Sequence, residues 1–383
     1  MNPDSGGNSL INHGILIDYL KAKIPSGLSE PWDNCGLQAG SRQWPLHGIL
    51  CCLDFSGAVF AEAQVTGANF IFSHHPIFFK PLKRLDLDVF PGNLLQQALS
   101  SGITLYSAHT NLDSVAGGVN DHLAKLLGVT DCLPLIQHLR ELYKLVTFVP
   151  AAEVDRVGAA LFAAGAGRLG AGRYSECSFR SLGVGSFRPA PGAAPRVGEI
   201  GRMNLVDEIR LETVLDKDRL ESVLEELRQA HPYEVPAYDL YPMQLPDEAC
   251  GSGRIGELED DMILAEFADL VKLRLGISSL RLIGGEPQRK VKKIALCGGS
   301  GFSFYKSAQA AGADLFITGD IKYHEAREVI DQGGIPILDA GHFATERPVL
   351  EVCAAWCREF LSEYSTPVPV AISHFEHEPW VVM

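Results

Sequence analysis

Residues 49–75 of this chain read ILCCLDFSGAVFAEAQVTGANFIFSHH, and residues 294–320 read IALCGGSGFSFYKSAQAAGADLFITGD. Aligned without gaps, Ile49 meets Ile294, Cys52 meets Cys297, Ala63-Gln64 meets Ala308-Gln309, and Gly67-Ala68 meets Gly312-Ala313. Each copy is an apolar run, a small-residue loop, a helical stretch, Gly-Ala-Asn or Gly-Ala-Asp, and a second apolar run. That order predicts strand, helix, strand, because parallel neighbours need a crossover long enough to hold a helix. The echo continues downstream, where GITLYSAH from Gly102 matches GIPILDAG from Gly334 as a third strand in each half. Two βαβαβ halves imply an α/β protein in which two similar halves, with mostly parallel sheets, form one core.

Between the halves the texture changes. LYKLVTFVP is a strand, AEVDRVGAALFAAG an amphipathic helix, and Arg180 to Phe187 and Asp207 to Leu215 alternate as strands do. RPAPGAAPRVGE is a Pro/Gly loop, DKDRLESVLEELRQAHP a helix ended by Pro232, and VPAYDLYP an edge-like strand. The order β-α-β-β-α-β is that of a ferredoxin-like α+β unit. The expected domains are an N-terminal half at 1–137, an inserted unit at 138–248 and a C-terminal half at 249–383. Pro246 to Gly253 serves as the return linker.

A chain of 383 residues is too long for one core. The net charge of −14 argues against nucleic acid or an anionic membrane as the main partner. It leaves room for a small phosphorylated substrate. Nine cysteines lie scattered without a CxxC pair, which excludes a zinc knuckle or a disulfide framework and fits reduced thiols. The N-terminus lacks a basic leader, and no apolar run reaches the ~20 residues that span a bilayer. The expected location is the cytoplasm.

Chemistry-bearing side chains collect at strand ends, where open α/β sheets bind ligands. NFIFSHHP ends in His74 and His75, with Pro76 bending the chain so that both imidazoles can turn toward one cleft. LYSAHTNLDS supplies His109 and Asp113, a hard anionic oxygen, although Asp113 or Ser114 could instead cap the helix that follows. IPILDAGHFATE supplies His342 behind a Gly341 turn, and Glu346 at the start of a helix expected near Thr345. His342 and Glu346 are four apart, with the turn between them placing them off a single helix. TGDIKYHE, the counterpart of SHHP, offers Asp320 and His324 as substrate contacts or as a plain turn. Gly298-Gly299-Ser300-Gly301 reads as a tight strand-to-helix turn, since neither a P-loop nor a dinucleotide fingerprint fits. Trp32-Asp33-Asn34 reads either as a substrate-binding loop or as a turn with a packed Trp. Three imidazoles and two carboxylates suit zinc, iron or manganese, and five ligands suffice for two ions that share a carboxylate.

At these residues the chain resembles the NIF-three-like family, the GTP cyclohydrolase 1 type 2 homologues. WDNCGLQAG (32–40), SHHPIFF (73–79), SAHTNLDSVAGGVND (107–121), TGDIKYHEA (318–326) and DAGHFATE (339–346) carry the resemblance across both halves. HPYEVPAYDLYP (231–242) makes the insertion similar to the PII/CutA-like module of longer members. The resemblance implies two divalent ions, one on His75, Asp113 and Glu346, the other on His74, His342 and the same Glu346. It also implies a ring-shaped homohexamer and an activity that opens the guanine ring of GTP to release formate, with His109 or His324 moving protons. Within enzymes the competing reading is a metal-dependent phosphoesterase. Outside them it is a non-catalytic assembly protein that senses a metal or ligand.

Overall fold

The structure, a computed structural model, describes residues 11–80, 82–170, 173–365 and 367–381. The first ten residues, read above as lacking a basic leader, lie outside the described residues. The strands in chain order are β1 (Gly36–Ala39), β2 (Ile49–Cys52), β3 (Phe70–Ser73), β4 (Thr104–Ser107), β5 (Thr130–Pro150), β6 (Ser178–Phe187) and β7 (Asn204–Asp216). They continue with β8 (Tyr238–Ile263), β9 (Arg281–Ile283), β10 (Lys290–Ser300), β11 (Leu315–Gly319), β12 (Ile337–Asp339) and β13 (Val370–Ile372). The chain forms two compact units, one of residues 1–138 with 248–383, the other of residues 139–247.

The larger unit carries the duplication. In its first sheet β4, β3 and β2 lie side by side in parallel, with Phe70 opposite Ile49 and Thr104. β13 joins β2 in parallel and β1 joins β4 antiparallel. In its second sheet β10, β11 and β12 repeat the parallel trio, with Ile317 opposite Leu296 and Leu338. Here the flanking pairs, β8 with β10 and β9 with β12, are antiparallel, so this half is less uniformly parallel than expected. The fold is mixed α/β with two sheets.

Burial on both faces explains why these strands read as unbroken apolar runs. Ile49, Cys51, Phe70 and Phe72 face the helices His13–Lys23 and Val349–Leu361. Leu50, Cys52 and Ile71 face the helices Gly57–Thr66 and Gly92–Ser100. The second sheet repeats the alternation: Ile294, Leu296 and Ile317 face one apolar layer, Ala295, Cys297 and Phe316 the other. Each fully buried aliphatic or Phe side chain contributes roughly 1.5–3 kcal/mol. Among the described residues, no helix is long and apolar enough to cross a membrane.

In the smaller unit the elements run from the end of β5 through helix Val154–Ala163, β6, β7 and helix Leu220–Ala230 to the start of β8. β7 pairs antiparallel with β6 on one side and β5 on the other. Both helices cover one face of the sheet over Leu145, Val149, Leu211 and Leu215.

The return to the larger unit is strand rather than linker, because residues 246–253 lie inside β8. Arg254, 1% exposed, explains how this stretch is pinned. Its guanidinium donates to the Ala249, Gly251 and Gly253 carbonyls and to both oxygens of Asp121, at 2.5 and 2.8 Å. Arg254→Ala would strip the buried Gly251 and Gly253 carbonyls of its guanidinium and leave the part-buried Asp121 carboxylate without its cation. A loss of about 3–5 kcal/mol is expected, read as a lower denaturant midpoint; an unchanged midpoint would show that the network is dispensable.

Candidate metal centre

The duplicated topology brings the C-terminal ends of both parallel trios to one cleft. Asp54 follows β2, His74 and His75 follow β3, His109 follows β4, Asp320 follows β11 and His342 follows β12. His74, Asp113 and Glu346 form one gathering of ligand atoms, and His75, His342 and Glu346 another. His109 closes a third with His74 and His75.

Each imidazole is held by Nδ1, so that Nε2 is left to face the others. His74 Nδ1 donates to the Ala108 carbonyl at 2.9 Å. A carbonyl only accepts, so His74 carries its proton on Nδ1 and presents a lone pair at Nε2. His75 Nδ1 is 3.0 Å from Asp54 Oδ1, His109 Nδ1 2.9 Å from Asp33 Oδ1, and His342 Nδ1 2.7 Å from Asp320 Oδ2. Carboxylate or carbonyl partners of this kind fix the tautomer and ring orientation of metal-binding histidines. Asp320 reaches His342 from a left-handed backbone, φ 58°, which Asp tolerates better than most residues.

Glu346 lies between the two gatherings. Its Oε1 is 3.7 Å from His74 Nε2, and its Oε2 is 3.0 Å from both His75 Nε2 and His342 Nε2. His74 Nε2 is also 3.7 Å from Asp113 Oδ1. Both His74 Nε2 and Asp113 Oδ1 are buried without a hydrogen-bond partner. Orphaned buried polar atoms are rare, and a pair aimed at one point fits a missing cation. The donor set of imidazole nitrogens and carboxylate oxygens suits a borderline transition-metal ion.

The charge balance points the same way. Asp33, Asp54, Asp113, Asp320 and Glu346 pair only with histidines, and among the described residues no lysine or arginine reaches them. Burial pulls His75 down, but hydrogen bonds to Asp54 and Glu346 win and raise it to about 10. His342 is likewise lowered by burial and raised more strongly by Glu346 and Asp320, to about 9. Burial lifts Asp113 to about 6 against the pull of His74. Protons thus stand where the cluster needs positive charge.

The structure places the sequence-derived candidates as follows. His74, His75, Asp113, His342 and Glu346 come together, and His109 stands beside them. His324 does not join them: it is exposed in the first turn of helix Tyr323–Gln332, edge-on to Tyr323. The partners are exchanged relative to the implied ligand sets, since His74 faces Asp113 and His75 faces His342. Opposite Nδ1 anchors, Ala108 for one ring and Asp54 for the other, turn the adjacent imidazoles to different sides. His342 and Glu346 do share a helix, the short turn His342–Glu346, so the spacing of four puts both on one face. Asp113 is no cap for the next helix: Gly118 occupies the N-cap of Val119–Leu127, and Asp121 accepts from Gly117 N.

Sequence reasoning did not assign the anchoring roles of Asp33 and Asp54, and it left Asp320 undecided. The use of Gly299 was also missed. With φ +65, a Cβ there would fall 2.0 Å from Glu346 Oε1. The glycine run is therefore the space in which the shared carboxylate sits. Gly298 N donates to Asn120 Oδ1 and Gly299 N to Thr345 Oγ1, tying the run to the surrounding helices. A cavity of about 490 Å³ opens over Asp113, His109, His342 and Glu346, with Trp32, Phe304, Ser300 and Ser303 on its walls.

A model of Duf34/NIF3 (NGG1p interacting factor 3) matches residues 11–379. The chain belongs to the Duf34/NIF3 family. Relatives named GTP cyclohydrolase 1 type 2 homolog include one from Halalkalibacterium halodurans, 38% identical over 334 residues, which span 87% of this chain and 89% of the relative. One from Bacillus subtilis is 38% identical over 335 residues, with the same coverage of each chain. The crystal structure of a Bacillus cereus protein related to NIF3 superposes with a TM-score of 0.83 at 34% identity, covering 98% of this chain and 100% of that one. The family resemblance read from the motifs is thereby confirmed.

Two outcomes follow for this NIF3-family site. A metal ion must displace protons that His75 and His342 hold below about pH 10 and 9, so affinity rises with pH and falls on acidification. Zinc added to metal-free protein near neutral pH should release protons to an indicator dye; silent uptake would contradict the charge balance. Gly299→Ala should lose bound metal while keeping its far-UV circular dichroism, whereas full metal content would show that Glu346 can move aside.

Proposed function

We propose that this chain is a hydrolase that works with two divalent ions, zinc, iron or manganese, and acts on GTP or a close relative of it. The observation that carries the reading is the Glu346 carboxylate, which turns one oxygen toward each of two ligand sets. His74, Asp113 and Oε1 would hold one ion, and His75, His342 and Oε2 the other. When bound, such ions lower the pKa of water toward ~7 and polarise the bond under attack.

The protein's own groups do the rest. The Asp33 side chain is nearly fully buried and accepts from His109 Nδ1 and from the Thr110 amide and hydroxyl. Burial opposes its charge, but those hydrogen bonds hold its carboxyl well below the usual range. His109 is thus oriented to move a proton at Nε2. The exposed position of His324 leaves it without a part in this reading. The names of the relatives support GTP as substrate, and the cavity is of a size that suits a small molecule.

The same reading includes a cytoplasmic homohexamer and a ferredoxin-like, PII/CutA-like inserted module. The β-α-β-β-α-β order of residues 139–247 supports the module. Exposed Leu182, Val184 and Leu205 offer surface that self-association would cover.

The test is formate release from GTP by protein loaded with each metal in turn. Formate is expected, and Glu346→Gln should lose both metal and turnover. Phosphate release in its place would favour the phosphoesterase. No turnover at all, with His342→Ala lowering thermal stability, would favour the non-catalytic assembly protein. Asp33→Asn should keep the metal and lower kcat about 10²-fold; an unchanged kcat would remove His109 from proton transfer.

A further inference from the structure

Several groups beside the metal centre have no part in the hydrolase reading. Trp32 is 63% exposed and Phe79 is 53% exposed, yet both rings meet the His109 imidazole edge-on, at 6.2 and 5.6 Å between centroids. Phe79 also lies 6.3 Å from the His75 ring. Trp32 is therefore not the packed anchor of a turn: it stands on the wall of the cavity with most of its surface in water. Large aromatics left uncovered beside a polar centre mark a surface that something else covers.

Charge supplies the second observation. Phe79 is followed by Lys80, Lys83 and Arg84, all exposed and none in an ion pair with a described residue. Of the other cations of this unit, Lys23, Arg42 and Arg254 are paired with Glu359, Asp18 and Asp121, while Lys21, Lys125 and Arg274 form no ion pair with a described residue. In a chain of net charge −14, three cations without an ion pair among the described residues lie within five positions of a ring that touches the site. Even fully extended, the five residues from Phe79 to Arg84 span at most about 18 Å. The cations consequently stay within reach of a ligand seated at the centre. Aromatic faces stack on any planar base, and Lys and Arg side chains receive phosphate oxygens.

We propose that Trp32 and Phe79 clamp a planar heteroaromatic ring beside His109, while Lys80, Lys83 and Arg84 take the phosphate groups it carries. The substrate class is a phosphorylated heteroaromatic, with a nucleoside triphosphate as its type. This rests on the hydrolase reading of the same cavity and names the residues that select for it.

Calorimetry on the metal-loaded full chain tests the clamp with three probes: a non-hydrolysable GTP analogue, guanosine and inorganic tripolyphosphate. Trp32→Ala should weaken the analogue and guanosine about tenfold, the loss expected for one base–aromatic stack, and Trp32→Phe should restore both. A variant with Lys80, Lys83 and Arg84 all changed to Gln should weaken the analogue and tripolyphosphate about tenfold or more and leave guanosine unchanged. Every substituted side chain is exposed, and metal content should stay at the wild-type level throughout. Wild-type affinity for the analogue in either the Trp32→Ala or the triple variant overturns the proposal. So does a wild-type protein that holds its metals and binds none of the probes, a result that removes GTP as substrate and leaves a two-ion hydrolase of another substrate standing. A wild-type protein that binds no divalent ion removes that reading and the clamp with it.

Discussion

One carboxylate governs this molecule. Glu346 sits at the meeting point of two strand-end clusters, with His74 on one side and His75 and His342 on the other. Burying a carboxylate among other carboxylates is costly unless positive charge answers it. Among the described residues no lysine or arginine reaches it, only imidazoles whose Nδ1 atoms are already committed. What remains is a set of inward Nε2 atoms and acid oxygens, balanced by protons on His75 and His342 that a metal cation would replace.

The rest of the larger unit can be understood as the means of holding that arrangement. Duplicated βαβαβ halves bury their strands on both faces, which leaves the strand ends as the places where polar side chains emerge together. Gly299 gives up its side chain so that Glu346 can approach the backbone of β10. Asn120 bridges the halves, donating to the Asp113 carbonyl and accepting from Gly298 N. Glu376, from the C-terminal segment, accepts from the Leu53 and Asp54 amides and so steadies the residue that orients His75.

Much of this was legible in the chain before any coordinates. The repeat from Ile49 and from Ile294 showed strand, helix, strand because double-sided burial demands continuous apolar runs whatever the neighbours are. The motifs around His74, Asp113 and His342 were enough to recognise the family. What could not be read was pairing. Whether His74 faces Asp113 or His342 depends on which atom holds its Nδ1, and that atom, the Ala108 carbonyl, leaves no mark in side-chain identity. Asp33 lay in a loop noted as a substrate-binding loop or a turn and Asp54 in unremarkable loop sequence, and only proximity to an imidazole gives each its anchoring role. The stretch 246–253 looked like a linker through its Pro and Gly, yet Arg254 and its carbonyl partners make it strand. His324, in the segment that echoes SHHP, looked able to face the same cleft, but its helix turns it to the surface.

Crystals of the metal-free protein soaked in zinc, with anomalous data collected on either side of the absorption edge, test the central claim most directly. Two peaks about 3.5–4 Å apart are expected. One should lie among His74, Asp113 and Glu346, the other among His75, His342 and the same Glu346. A single peak, or none near Glu346, would contradict the shared carboxylate.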